Sequence, residues 1–421
     1  MSKFTEVLKN RDFFLLWIGQ IISQLGDRLS QMALIALVYT KSPGSTLGIA
    51  KILSFTLIPV FLIGPIAGVY VDRWDRRRIM YISDLLRATL VLCIAVLLIN
   101  KNLGWVYLII FIIFSIGRFF VPAKMAIIPD LVDKKHLLMA NSLVNTTGMI
   151  AAVLGFGVSG IVVEKLGAQG GFYLDTLSFL VSGSCIFLIA KKTMSLASLK
   201  KVSREAVEEF RKSVLEDLKE GLLYFFKEKK LRFTAAIIFS LWAALGAVYV
   251  VIIVFIQQIL HSATKDLGLL IMFMGIGLFS GSLVYGKFGQ QVSHYKIIFT
   301  SLILSGIMLI IFGLGINRYP YFAVAAALSF ILGIFISPIM IATNTIIHKV
   351  SANHMMGKIF SSLEIVIHLG FLSFMFLSSL LVERFKISHL SIIITVGIVI
   401  VLLGTANLIT RKSLRDNFVL S

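Results

Sequence analysis

Charge is what this chain lacks most. Only 14% of its 421 residues are Asp, Glu, Lys or Arg, against about a quarter in a soluble domain. Acids are the scarcer sign, 21 against 40 basic residues. Cysteine is nearly absent: Cys93 and Cys185 are the whole supply, each inside an apolar run. No CxxC occurs, so a thiol redox pair, a thiolate metal site and a disulfide framework are all excluded as organising features. Nor is there a P-loop, a G-x-S-x-G or an H-E-x-x-H, so ATP drive and hydrolytic chemistry lack support.

What fills the chain instead is hydrocarbon. Hydrophobic residues make up 58%, and the mean hydropathy is +0.94. A net charge of +19 would suit nucleic acid, but the basic residues sit in short blocks between apolar stretches. That distribution is the positive-inside pattern of a membrane protein, and no nucleic-acid partner is expected.

A helix that crosses a bilayer needs about 20 apolar residues. Twelve stretches qualify: 12–39, 46–71, 79–99, 104–128, 138–163 and 168–190, then 233–260, 266–288, 297–316, 320–348, 358–382 and 388–410. Lipid cannot satisfy backbone polar groups, so each stretch is expected to be helical. The apolar run after "MSKFTEVLKNRDFF" is too long for a signal peptide and reads as an uncleaved first span. With the N-terminus cytoplasmic, about 29 of the 40 basic residues fall on the cytoplasmic side, Lys124 counted among them. Both termini are therefore expected inside, in a multi-pass protein of the cell membrane.

One long break interrupts the spans. Residues 191–232 open with a polar linker. Val207, Phe210, Val214, Leu218, Leu222 and Phe225 then recur at steps of three and four, the mark of an amphipathic helix. It is expected to lie on the cytoplasmic membrane face, or to be a loosely ordered linker. The expected organisation is a six-helix bundle over 1–190, this linker, and a second six-helix bundle over 233–421. The halves echo one another. "GVYVDRWDRRRI" (68–79) matches "GKFGQQVSHYKI" (286–297) in length, and Pro122 in "FFVPAKMAIIPDLV" matches Pro338 in "FISPIMIATNTIIH". Small residues four apart, Gly64/Gly68 and Ser282/Gly286, precede both loops and suggest close helix packing there. Repeats of six spans mark secondary transporters with substrate at the interface of the halves.

The loop between spans 2 and 3 holds Asp72, Arg73, Asp75, Arg76, Arg77 and Arg78. Positive-inside bias explains the arginines but not the acids. A carboxylate at Asp72 could hold Arg76 or Arg77 and meet a helix dipole. Such a latch would close one conformation and open in the other. Gly68, Asp72, Arg73, Arg76 and Arg77 spell G-x-x-x-D-R-x-x-R-R, which resembles the signature loop of the major facilitator superfamily. In the second half the loop has diverged, with Gln290 and His294 where Asp72 and Arg76 stand. "FLLWIGQIISQLGD" (14–27), "PAKMAIIPDLV" (122–132) and "GKIFSSL" (357–363) resemble the macrolide and drug-efflux branch. "PAK" and "ANSL" (140–143) are also similar to its lysophospholipid transporters. The resemblance implies an all-α integral membrane fold, twelve transmembrane helices in two six-helix bundles around a central cavity. It also implies a monomer that needs no cofactor beyond a proton gradient.

Two positions depart from drug antiporters. Phe114 stands where an Arg often precedes the span 4 glycine, with Arg118 just after Gly117 instead. Phe156 stands where span 5 often has Pro. "GFGVSG" (155–160) is literally G-x-G-x-x-G but lies in an apolar span, where close helix packing accounts for it better than a nucleotide.

Ionisable residues inside spans are costly and so are functional candidates. Asp27 lies mid-span and is a candidate proton or substrate site, or the partner of an Arg elsewhere. Glu364 and His368 share a face of span 11 and suit a proton or cation role, or a contact with each other; they are too few for a metal site. Asp175 suits structural pairing, with Arg28 as one partner, or else a proton or substrate role in transport. Arg118 could be counter-ion to Asp27 or Glu364. Asp84 and Arg87 are assigned to the loop latch.

Three functions remain open. One is secondary export of amphipathic, drug-like molecules by alternating access, with an acid that exchanges protons. The second is lysophospholipid transport, with membrane lipid as partner. The third is a receptor or scaffold that kept the fold and lost transport, against which the intramembrane charges argue. An intramembrane enzyme has no visible nucleophile and base.

Overall fold

The computed structural model describes residues 3–71, 74–97, 103–190, 219–220, 223, 229–289, 292–350 and 356–410. Among these, every regular element is a helix. The expected amphipathic segment 207–225, Asp72, Arg73 and Gln290 lie outside the described residues or at their edge.

Helix α1 (Lys3–Leu8) leads to α2 (Arg11–Lys41), α3 (Thr46–Leu62), α4 (Gly64–Val71), α5 (Arg76–Leu97), α6 (Leu103–Leu131) and α7 (Leu137–Phe187). The second half contains α8 (Lys229–Leu260), α9 (Lys265–Phe288), α10 (His294–Arg318), α11 (Phe322–Val350), α12 (Met356–Phe385) and α13 (His389–Thr410). Nine described helices are long and apolar enough to cross a membrane. One of them, running over Lys134–Phe187, crosses twice: it folds back at Gly167, whose φ of 71° suits glycine alone. The 31-residue α2 and the broken pair α3/α4 complete twelve crossings.

The sequence explains the helix ends. The Asn10 side chain accepts from the amides of Asp12 and Phe13, 3.1 Å each, capping α2. Its amide also donates to the Leu131 carbonyl at the end of α6, 2.7 Å away. Asp75 caps α5 through the Arg78 amide at 3.1 Å. The second expected span is interrupted at Ile63, after the internal Pro59 and just before Gly64.

The chain divides into two compact units, Met1–Lys41 with Lys51–Val214, and Ser42–Ala50 with Leu215–Ser421. In the first unit α2 runs between the two arms of α7. One side meets the first arm, where Trp17 Nε1 donates to Thr147 Oγ1 at 3.0 Å. The other meets the second arm, where a Cβ on Gly19 would lie 3.3 Å from Cys185. In the second unit α9 crosses α11 backbone to backbone: a Cβ on Gly277 would strike the Phe330 carbonyl, and one on Gly333 the Met274 carbonyl. Glu383 accepts from Ser45 Oγ at 2.7 Å and from the Leu47 amide at 2.8 Å, which completes the cap of α3 within this unit.

Among the described residues, the expected close approach at Gly64 is not made. A Cβ added at Gly64 or Gly286 would meet nothing within 4 Å. Small residues do bring helices together in this protein, but at Gly277, Gly281, Gly306, Gly333 and Gly397. Gly155 of the G-x-G-x-x-G string packs on α2, with Arg28 Cγ 3.0 Å from the added Cβ.

Candidate functional site

Four helices of the first unit bring seven charged side chains into one neighbourhood. Asp84 on α5 is fully buried and ion-paired with Arg87, one turn along the same helix. Its other oxygen accepts from Ser182 Oγ on α7 at 2.7 Å. The Arg87 guanidinium is sandwiched between Phe120 of α6 and Phe179 of α7, 4.7 and 4.3 Å from the ring centres, so cation–π contacts replace water on both faces. Asp175 on α7 accepts from Ser178 at 3.0 Å and from Ser30 of α2. Gly26 makes room for this: any Cβ there would overlap Ser178 Oγ and the Asp175 carboxylate.

Asp27 lies among these groups. The cations that act on it, strongest first, are Arg87, Arg28, Lys124 and Arg118. Its own charge acts in turn on Asp84 and on Asp175. It is half-buried, and among the described residues it makes no hydrogen bond and no ion pair. Of the three acids, then, two are locked and one is held only by a field. Two turns earlier on α2, Gln20 is 3% exposed, and among the described residues its Nε2 has no hydrogen-bond partner.

The assignments made from sequence change at several points. Asp175 pairs with serines rather than with Arg28, because Arg28 turns to the other arm of α7. It lies 4.8 Å over the Phe156 ring of that arm and donates to Gln31 of its own helix at 2.7 Å. Asp84 and Arg87 belong to the buried cluster and not to the loop latch, since their partners are Ser182, Phe120 and Phe179. Lys124, counted above as a cytoplasmic-side charge, lies in the cluster; sequence reading missed it as a site residue. The signal was present: Lys124 shares a helical face with buried Phe120, Ile127, Ile128 and Leu131.

The loop arginines have partners of their own. Arg76 Nη1 donates to Asp130 at 2.8 Å and to the Ala126 carbonyl at 2.8 Å, both on α6. Arg77 donates to the carbonyls of Ile186 and Phe187. Those are the C-terminal carbonyls of α7, where a helix dipole favours a cation. Gly68 lies in α4. In the second unit the position of Arg76 is taken by His294, 2.9 Å from Tyr285 Oη and 3.4 Å from Lys349 Nζ.

Glu364 and His368 share a face of α12, as expected, but their contact runs through the backbone. His368 Nδ1 donates to the Glu364 carbonyl at 2.7 Å, and its ring rests 5.4 Å from that of Trp242. The Glu364 carboxylate is exposed. Among the described residues no group of three His, Cys, Asp or Glu could hold a metal.

The second unit also holds an apolar cavity of about 140 Å³. It exists because α8 packs closely on α12 but only sparsely on α9 and α11. Ile253, Ile256, Leu270 and Phe312 form its buried wall, with Tyr249 and Met274 among the half-buried residues.

A family model described as transmembrane secretion effector matches residues 2–335. The chain belongs to this family. It is a multi-pass membrane transporter of the major facilitator superfamily. An uncharacterized transporter of the superfamily from Bacillus subtilis, YkuC, is 25% identical over 362 residues, 84% of this chain and 81% of that one. Macrolide efflux protein A of Streptococcus pyogenes is 28% identical over 181 residues, 42% of this chain and 44% of its own length. Among solved structures, a bacterial homologue of the iron transporter ferroportin in an inward-facing state aligns with a TM-score of 0.69 at 14% identity, covering 94% of this chain and 98% of that one. A POT family transporter aligns at 0.68 and 15% identity, covering 96% of each. Such identities speak for the shared fold alone. Within the family frame, the charged cluster of this transporter spans four helices of its first bundle, α2, α5, α6 and α7.

Proposed function

We propose that this family member exports amphipathic, drug-like molecules across the cell membrane by alternating access, with both termini cytoplasmic, and that Asp27 couples export to protons. The observation that carries the coupling is the inequality of the three acids within the spans of the first unit. Asp84 is held by Arg87 and Ser182 and Asp175 by Ser30 and Ser178, so both are built in as structure. Asp27 has none among the described residues, so its proton can come and go without breaking a contact. Intramembrane acids with that freedom are the usual carriers of a proton step. The apolar cavity in the second unit supports an amphipathic cargo, because pockets lined by hydrocarbon with a Met take varied apolar shapes. The Lys/Arg distribution supports the orientation.

The test is transport into inside-out vesicles with an imposed pH gradient. Asp27→Asn keeps the side chain's shape and removes its charge. It should still bind cargo and lose gradient-driven accumulation. Glu364→Gln should keep it, since its exposed carboxylate has no place in the cluster. If Glu364→Gln alone abolishes coupling, the proton site is in α12. If both variants accumulate cargo at the normal rate, proton coupling through these acids is wrong.

A further inference from the structure

We infer that Arg28 binds an oxyanion, a carboxylate or a phosphate, on the amphipathic cargo. The inference rests on the proposed export of amphipathic molecules and adds the charge of their head group.

Arg28 belongs to a polar line along α2. Trp17, Gln24, Arg28 and Gln31 follow at steps of seven, four and three, so they share one face of the helix. That face lies against the first arm of α7. Trp17 donates to Thr147 there. A Cβ on Gly148 would lie 3.1 Å from Gln24 Oε1, and one on Gly155 3.0 Å from Arg28 Cγ. All four side chains of the line are half-buried. Ionisable groups within a span turn to the bundle interior or to a water-filled space, and not to lipid. The uncovered part of the line therefore meets water, where a solute can reach it.

The guanidinium is held in place but not neutralised. Its carbon lies 4.8 Å over the centre of the Phe156 ring, and Nη1 donates to Gln31 Oε1 at 2.7 Å. Among the described residues, Nε is buried with no hydrogen-bond partner, and no carboxylate lies within ion-pair distance of the group. Asp175, the partner expected from sequence, is taken by Ser30 and Ser178. Arginine does not shed its proton, so the group stays charged inside the span. A ring face and an amide oxygen fix the guanidinium and leave donors unused. That is the preorganised half of a two-pronged contact. Carboxylate and phosphate oxygens match the guanidinium fork, and charge-assisted hydrogen bonds of this kind are about twice as strong as neutral ones. A cationic head group would be repelled from the same place.

The experiment measures binding to the purified, full-length protein in nanodiscs of phosphatidylcholine, with empty discs as the baseline and at mildly alkaline pH. The probes are a dansylated long-chain carboxylic acid, its uncharged primary amide and the corresponding alkylammonium. Wild type should bind the acid about tenfold more tightly than the amide, the size expected of one hydrogen bond to a charged group. Arg28→Gln should erase that preference and leave amide affinity unchanged, which also shows that the variant is folded. Arg28→Lys should lose most of it, because an ammonium has neither the fork nor the stacking plane. Should Arg28→Gln fail to fold, Phe156→Leu carries the test: it keeps the charge, removes the ring beside it and should reduce the preference several-fold with the amide unchanged. Competition by phosphatidylglycerol added to the discs would assign the anion to a membrane lipid head group, and failure to compete would assign it to a free amphiphile; both retain the oxyanion. Equal binding of acid and amide by wild type, tightest binding of the alkylammonium, or an undiminished preference for the acid in Arg28→Gln or, in its place, in Phe156→Leu would overturn the inference while leaving amphipath export standing. If no probe binds at all, the amphipathic cargo is wrong and the inference falls with it.

Discussion

Asp84 and Arg87 stand one turn apart on α5 and neutralise each other inside the first unit, with Ser182 closing the remaining oxygen at 2.7 Å. Removing one partner leaves a buried charge without compensation. Arg87→Leu or Asp84→Leu should therefore cost about 3–5 kcal/mol, whereas the joint replacement by two leucines should cost far less. Thermal unfolding in detergent, arranged as a double-mutant cycle, reads the difference. Additive losses would mean that the pair does not act as a unit.

Arg76 and Asp130 form a contact of another kind. Their side chains are 30% and 49% exposed, and exposed pairs contribute about 0–1 kcal/mol. Asp130→Asn should leave the melting temperature almost unchanged. If the signature loop works as a latch, transport should nevertheless fall several-fold, as it should in Asp72→Asn. Normal transport by both variants would reduce the charged loop to a topology signal.

The crossing of α9 and α11 has no slack. Gly277→Val places a side chain against the Phe330 backbone, and overpacking of this sort costs about 1–3 kcal/mol. Gly286→Val, further along the same helix, meets nothing within 4 Å at its Cβ and should be tolerated. The yield of monodisperse protein in detergent discriminates between them, and equal yields would contradict the packing described.

The cavity beside α8 should select by shape. Met274→Trp fills part of its 140 Å³ with a rigid ring. Transport of bulky cargo should drop, and that of short-chain cargo should persist. Equal loss for both would place cargo elsewhere.

Much of this was legible from the chain. Twelve crossings follow from apolar length, because lipid leaves the backbone no alternative to the helix, and their bounds fall close to the helix ends. Asp27 was legible because an acid in hydrocarbon is rare. The partners were not. Ser30, Ser178 and Ser182 carry no signal in a periodicity, and each matters only because α7 folds back beside α2. Lys124 was misplaced because a lysine near a span's end is indistinguishable, in a charge count, from one that faces the bundle. Gly64 misled for a related reason: spacing shows that a close approach is permitted, and only the neighbouring helix decides whether it occurs.

The return of α7 at Gly167 has a bearing on how the first bundle reaches the membrane. A single glycine with φ of 71° joins two crossings, and Gln169 Nε2 ties the turn to the Ala95 carbonyl at the end of α5. The two arms are thus one continuous hairpin with almost no ribbon between them. A hairpin of this form can enter the bilayer as a pre-paired unit during synthesis, its backbone already satisfied, rather than as two segments that must find each other afterwards. The same economy closes a door to the experimenter: an epitope, protease site or fluorophore inserted at 166–168 would pry apart the arms that clasp α2.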